Sequence, residues 1–216
     1  MASPEMSYNI QKSVLFLRDT LSEDRLNAYQ LHTKNFSDAI TLYEWNLNAS
    51  AGFYVPLHGL EICLRNALHR EMSRAFTANW VIAHQLDADA KGKVEIAQET
   101  LRRQKKQIHP PSLVAELSFG FWITLLNKRH HQTLWIPTLS KAFPYAKRPR
   151  AEIHNRLQHI RIFRNRVAHY EPIFARDLEK DYETIIETIH WMNPEMAEWV
   201  QNVSASLPPL LKQKPL

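Results

Sequence analysis

The stretch RAEIHNRLQHIRIFRNRVAHY, residues 150–170, decides the fold. It holds neither glycine nor proline and is flanked by Pro149 and Pro172, so it reads as one long helix. At helical spacing Ile153, Leu157, Ile160, Arg164 and Val167 share one face, while His154, Gln158, Arg161, Asn165 and His169 share another that is polar throughout. Arg164 therefore interrupts an apolar row. A guanidinium keeps its charge, so beside a core it requires a paired carboxylate or a polar cleft.

Upstream, Leu57, Leu60, Leu64 and Leu68 recur at helical spacing as far as about Phe76, with Pro56 interrupting the pattern before them. A preceding helix over about residues 37–53 sets Ile40, Tyr43, Leu47 and Ser50 or Ala51 along one side. These two predict a central pair, antiparallel or kinked. Leu57, Glu61, Leu64 and Leu68 also line up, which makes Glu61 the carboxylate in an apolar row that answers Arg164. The two are expected to meet inside the bundle, where loss of either partner would cost about 3–5 kcal/mol.

Further helices are expected over about residues 10–21, from Ser22 as an N-cap with Glu23 and Asp24 in its first turn, over 87–107 ahead of Pro110-Pro111, and as short pieces over 113–142 broken by Pro137. Two more follow the motif helix, over 177–192 and 194–204. The resulting plan is an N-terminal helical extension over 1–36, a main domain over 37–206, and a mobile tail over 207–216 carrying three prolines.

Composition agrees with an all-α chain. Only 4 of 216 residues are glycine and no Asn-Gly or Asp-Gly pair occurs, which leaves hairpins without their usual turns. A hydrophobic share of 44% is enough for a full core. The lone cysteine, Cys63, excludes an intramolecular disulfide and reads as core filler. The opening residues MASPEMSYNIQKS lack a basic region followed by an apolar run, and no window of the chain is apolar enough to span a bilayer, so a cytoplasmic protein without membrane association is expected. A formal charge of +5 and a pI near 9.3 favour a polyanionic partner. Basic runs lie at 102–106, 128–131 and 147–150.

Arg164, Asn165 and His169 suit one chemistry. RNA carries its own nucleophile in the 2′-hydroxyl, so cleavage requires a proton-transfer group near neutral pH and a cation on the phosphate. His and Arg fill those roles, and no cofactor is needed. On geometry, Arg164 and His169 lie about 140° apart around the axis and converge only with bent side chains or across a subunit boundary.

The runs PLHGLE at 56–61, LRNALH at 64–69 and RNRVAHYEPIF at 164–174 resemble the Abi-like proteins of bacteria, the group that includes the AbiD and AbiF abortive-infection proteins, which are similar to HEPN-domain proteins. The resemblance covers about residues 39–192. It implies a HEPN-like helical bundle with additional short helices, and a metal-independent endoribonuclease of an antiphage or toxin–antitoxin system. It also implies a homodimer whose motif helices line a composite cleft, and an antitoxin or phage-derived trigger as a further partner. Under it Arg164 binds the scissile phosphate, His169 handles the proton and Asn165 orients one of them. Glu61, Arg65, Asn66, Arg161 and Tyr170 would bind RNA or support these residues. The chain departs from the family where a second His commonly follows the motif His, because Tyr170 stands there.

Other readings compete. Arg65 to His69 is one residue short of the motif spacing and reads as support. His130-His131 lacks the neighbouring ligands of a zinc site, and phosphate-binding glycine loops are absent. Trp122, beside Phe119 and Phe121, reads as core, whereas Trp80 and Trp135 are open to base stacking. A non-catalytic RNA-binding module and a purely dimerising bundle remain as alternatives to the ribonuclease.

Overall fold

The structure is a computed structural model that describes residues 16–82 and 86–215. The expected helix over 10–21 and extension over 1–36 lie partly outside the described residues; residues 16–21 are helical. The fold is all-α, with no strand among the described residues.

Helix α1 (Glu23–Gln30) packs along α2 (Phe36–Gly52), and α3 (Tyr54–Phe76) follows after Phe53 alone. The central pair is thus the kinked one. Pro56 has no N–H to donate to the carbonyl of Gly52, so the helix breaks at Phe53 and restarts with proline in its first turn. Leu57, Leu60, Leu64 and Leu68 are all buried.

Helix α4 (Ala88–Arg103) is capped by Asp87, whose side chain accepts from the Ala90 N–H at 2.8 Å. It stops short of residue 107, because Lys105 turns into the left-handed region and ends it. Two short helices, α5 (Pro110–Glu116) and α6 (Phe119–Thr124), precede tight 3-10 turns at Lys128–His130 and Leu139–Ala142 and, between them, a wider π-helical turn at His131–Trp135. Then come α7 (Arg150–Ala168), α8 (Leu178–Met192), α9 (Pro194–Val203) and α10 (Leu207–Leu211). Helix α3 is the hub: it packs on α8, α9, α6 and the turn at 139–142, while α7 lies between α6 and α8.

Three expectations require correction. Ser22 precedes α1 but its side chain makes no cap bond, since a φ of 69° leaves the hydroxyl without the extended geometry a cap requires. The region before residue 37 is no appendage within its described part, because Leu26 and Tyr29 sit at 1% exposure in the common core. The described part of the expected mobile tail, residues 207–215, does not hang free either: Leu207 and Leu211 are buried, and the Trp45 indole N–H donates to the Leu210 carbonyl at 3.0 Å. Prolines at the start of α10 help nucleate a helical turn that the core then holds.

Trp80 and Trp135 are both buried, which removes them from base stacking. Trp80 packs on Trp122 and Phe121, with ring centroids 6.0 and 6.3 Å away, and its indole donates to His69 Nδ1 at 3.0 Å.

Candidate functional site

The apolar stripe of α7 runs out of the core before the helix ends. Ile153, Leu157 and Ile160 are buried, but Arg164 and Val167 open into a cleft of about 690 Å³ between α2, the start of α3 and the end of α7. The side of α2 expected from its pattern, Leu47 with Ser50 and Ala51, forms one wall of this cleft rather than core. Tyr43 of the same stripe is buried, and toward the end of α2 the buried side is carried by Asn46 and Ala49. Asn46 disguised that face in the sequence. Its Oδ1 accepts from the backbone N–H groups of Ile173 and Phe174, at 2.8 and 3.1 Å, which fastens the segment after α7 against α2.

Glu61 and Arg164 do come together. Glu61 Oε2 lies 3.6 Å from Arg164 Nε, but the side chains are 29% and 41% exposed, at the mouth of the cleft and not inside the bundle. Water screens such a pair, so it contributes about 0–1 kcal/mol instead of the 3–5 kcal/mol expected of a buried one. Glu61 is the only ionic partner of Arg164 among the described residues, and no hydrogen bond there engages the guanidinium.

The polar stripe divides in two. Its first three members are structural: His154 Nε2 meets Asn127 Oδ1 at 2.9 Å, Gln158 Nε2 meets His154 Nε2 at 3.4 Å, and Arg161 Nε donates to Gln158 Oε1 at 2.9 Å. Arg161 lies over Gly120 on α6, away from the cleft, which counts against its expected place at the site. Asn165 and His169, at the end of the stripe, have no side-chain hydrogen bond among the described residues, and His169 is exposed. Neither lines the cleft that Arg164 lines. Within one chain the 140° separation is therefore not closed by bent side chains. Arg65 and Asn66 bond each other at 3.3 Å, one turn along α3 from Glu61 and outside the cleft.

Tyr170 stands at the rim and is the most unusual residue of the site. The Glu171 N–H donates to the Arg166 carbonyl at 2.9 Å and the Tyr170 N–H to the Val167 carbonyl at 3.2 Å, the two bonds of a Schellman ending. That ending puts Tyr170 in the left-handed region, φ 58°, where glycine is the usual occupant. The Tyr170 carbonyl accepts from Arg25 Nη1 at 2.9 Å, and the residue is 73% exposed.

Arg25, Asn46, Leu47 and Tyr54 escaped the sequence reading as site residues, whereas His58 reads with Arg65 and His69 as support. Tyr54 and His58 stack at 5.9 Å and 14° on the rim of the cleft, a contact their spacing of four could have flagged. No pattern pointed to Arg25.

Four cations of the basic runs have acidic partners among the described residues. Arg102 and Arg103 pair with Glu99, Arg129 with Asp87 and Asp89, and Arg148 with Glu152. Burial pushes the Cys63 thiol up to about 11, which leaves it without thiolate character near neutral pH. Among the described residues no three His, Cys, Asp or Glu side chains gather as a metal site, and no helix is long and apolar enough to cross a membrane.

Compared with known proteins, the chain matches no family model, no curated protein and no solved structure.

Proposed function

We propose that this chain is a metal-independent endoribonuclease of an antiphage abortive-infection or toxin–antitoxin system. The observation that carries the reading is Arg164 itself: an arginine on an otherwise apolar helix face, at the mouth of an open cleft, with its terminal nitrogens unengaged among the described residues. Those donors match the non-bridging oxygens of a phosphodiester. Asn165, the next residue, and His169, the C-cap of the helix, offer polar side chains without hydrogen-bond partners among the described residues at the same helix end.

In the proposed step the 2′-oxygen attacks phosphorus and a P–O bond forms while the P–O5′ bond breaks. The 2′-hydroxyl proton passes to a histidine, and the departing 5′-oxygen takes up a proton. The products are a 2′,3′-cyclic phosphate and a 5′-hydroxyl. Arg164 balances charge on the pentacovalent phosphorus. With one motif His per chain and Tyr170 after it, two copies of His169 facing one another across a homodimer would supply both proton carriers.

One observation favours the alternative of a non-catalytic RNA-binding or dimerising module: His169 lies outside the cleft that Arg164 lines within a single chain. The test incubates purified protein with total bacterial RNA in EDTA, using wild type, Arg164→Ala and His169→Ala, and analyses fragment ends. Cleavage to 2′,3′-cyclic phosphate ends by wild type alone is the expected result. RNA affinity that falls steeply with salt, without cleavage, would favour the binding module, and no affinity at moderate salt the dimerising one.

A further inference from the structure

We infer that the cleft beside Arg164 is a pocket for a single nucleobase and that it selects guanine from an RNA strand. This inference rests on the ribonuclease reading and names the substrate class of the same site.

The cleft combines three features that few ligands satisfy together. Its walls are apolar, with Leu47 and Ala51 on one side and Val167 on the other. Its rim carries exposed aromatic surface, Tyr54 stacked on His58 at 5.9 Å and Tyr170 held outward by a strained turn. At its mouth an acid and a base, Glu61 and Arg164, stand 3.6 Å apart. A hydrocarbon chain would fill the walls but strip water from both charges without replacing it. A flat heterocycle attached to a phosphate answers all three, because its faces stack on aromatic rings, its edge bonds to Glu61 and its phosphate reaches Arg164.

The carboxylate decides which base. An ionised Glu61 only accepts hydrogen bonds. Guanine presents an N1–H and an exocyclic amine side by side, so it donates two parallel bonds to the two oxygens. Adenine and cytosine present one amine beside a ring nitrogen that is itself an acceptor and would be repelled. Uracil presents one N–H between two carbonyls. Arg164 Nε stands beside the Glu61 carboxylate while its terminal nitrogens remain for phosphate.

The test titrates the full-length protein with the 5′-monophosphates of guanosine, adenosine, cytidine and uridine by calorimetry at low salt. Guanosine monophosphate is expected to bind about tenfold tighter or more than the others. Ala51→Trp, which fills the cleft from an exposed position, should abolish that binding with an unchanged circular dichroism spectrum and melting temperature. Glu61→Gln should bring the four nucleotides within about twofold of one another. The inference fails if wild type binds all four alike or none at millimolar concentration. It fails equally if Ala51→Trp leaves guanosine monophosphate binding intact, or if that substitution shifts the sedimentation coefficient, which would mark the cleft as a contact with a second copy. Cleavage of RNA in EDTA separates the two ideas. Cleavage without a guanine preference at the fragment ends sinks the pocket and keeps the ribonuclease, whereas guanine-selective binding with no cleavage keeps the pocket and sinks the ribonuclease.

Discussion

Tyr170 shows how one residue can oppose stability. A side chain in the left-handed region costs about 1–2 kcal/mol relative to ordinary conformations, and glycine there is free of that cost but gives back part of it in unfolded-chain entropy. Tyr170→Gly is therefore expected to raise unfolding stability by about 0.5–1 kcal/mol, read from urea denaturation. A loss of stability would mean that the exposed ring packs in solution on something this chain does not provide. If the rim contacts a base, the same substitution weakens nucleotide binding, so the two readouts move in opposite directions. Strain retained beside a cleft is a recognised mark of a working site. At this scale the sequence made Arg164 and Glu61 legible, because each breaks an apolar row. It left their exposure illegible, since periodicity gives a direction around a helix and says nothing of where the neighbouring helix stops.

The hub helix α3 owes its close packing on α9 to Gly59. A Cβ built at that position would lie 2.6 Å from Val200 Cγ2, which sits in the core at 0% exposure and has nowhere to move. Gly59→Ala is expected to destabilise by about 1–3 kcal/mol, with thermal melts as the readout, and Val200→Ala in the same chain should recover part of the loss. Additive losses in the double variant would disprove the contact. Element existence was largely readable: the long helices over 150–170, 57–76 and 177–192 carry continuous 3.6-residue patterns. The faces were less so. On α2 the first half of the expected stripe, Ile40 and Tyr43, does meet the core, but its second half lines the cleft, and the core side there includes a buried Asn46 that bonds to the backbone of a segment 127 residues away, a partner no local pattern reveals. On α7 the polar face looked uniformly functional, yet three of its five residues form a hydrogen-bonded seam against Asn127 and α6.

For the molecule as a whole, two histidines, His69 half-buried and His130 buried, shape the acid response. Burial, and then the charge of Arg65, hold His69 below its ordinary value, and its Nδ1 must stay unprotonated to accept from Trp80. Burial also lowers His130, against the raising influence of Asp87. Both folded-state values lie below the unfolded value of about 6.5, so their contribution to stability is complete above that pH and is lost as pH falls through it toward the folded values. The melting temperature should fall between about pH 7.5 and pH 5, and His69→Asn should shrink the fall. A melting temperature indifferent to pH over that window would show that neither ring is held neutral. The sequence alone determined that the chain is helical, where its long helices run, and which charged residues break their apolar faces, because these follow from residue type and a fixed period. Only the tertiary structure decided that Glu61 and Arg164 meet at an open cleft, that His169 lies outside it, and that residues 207–211 belong to the core. Those outcomes depend on how far each helix extends past its neighbours, a property of packing between distant segments.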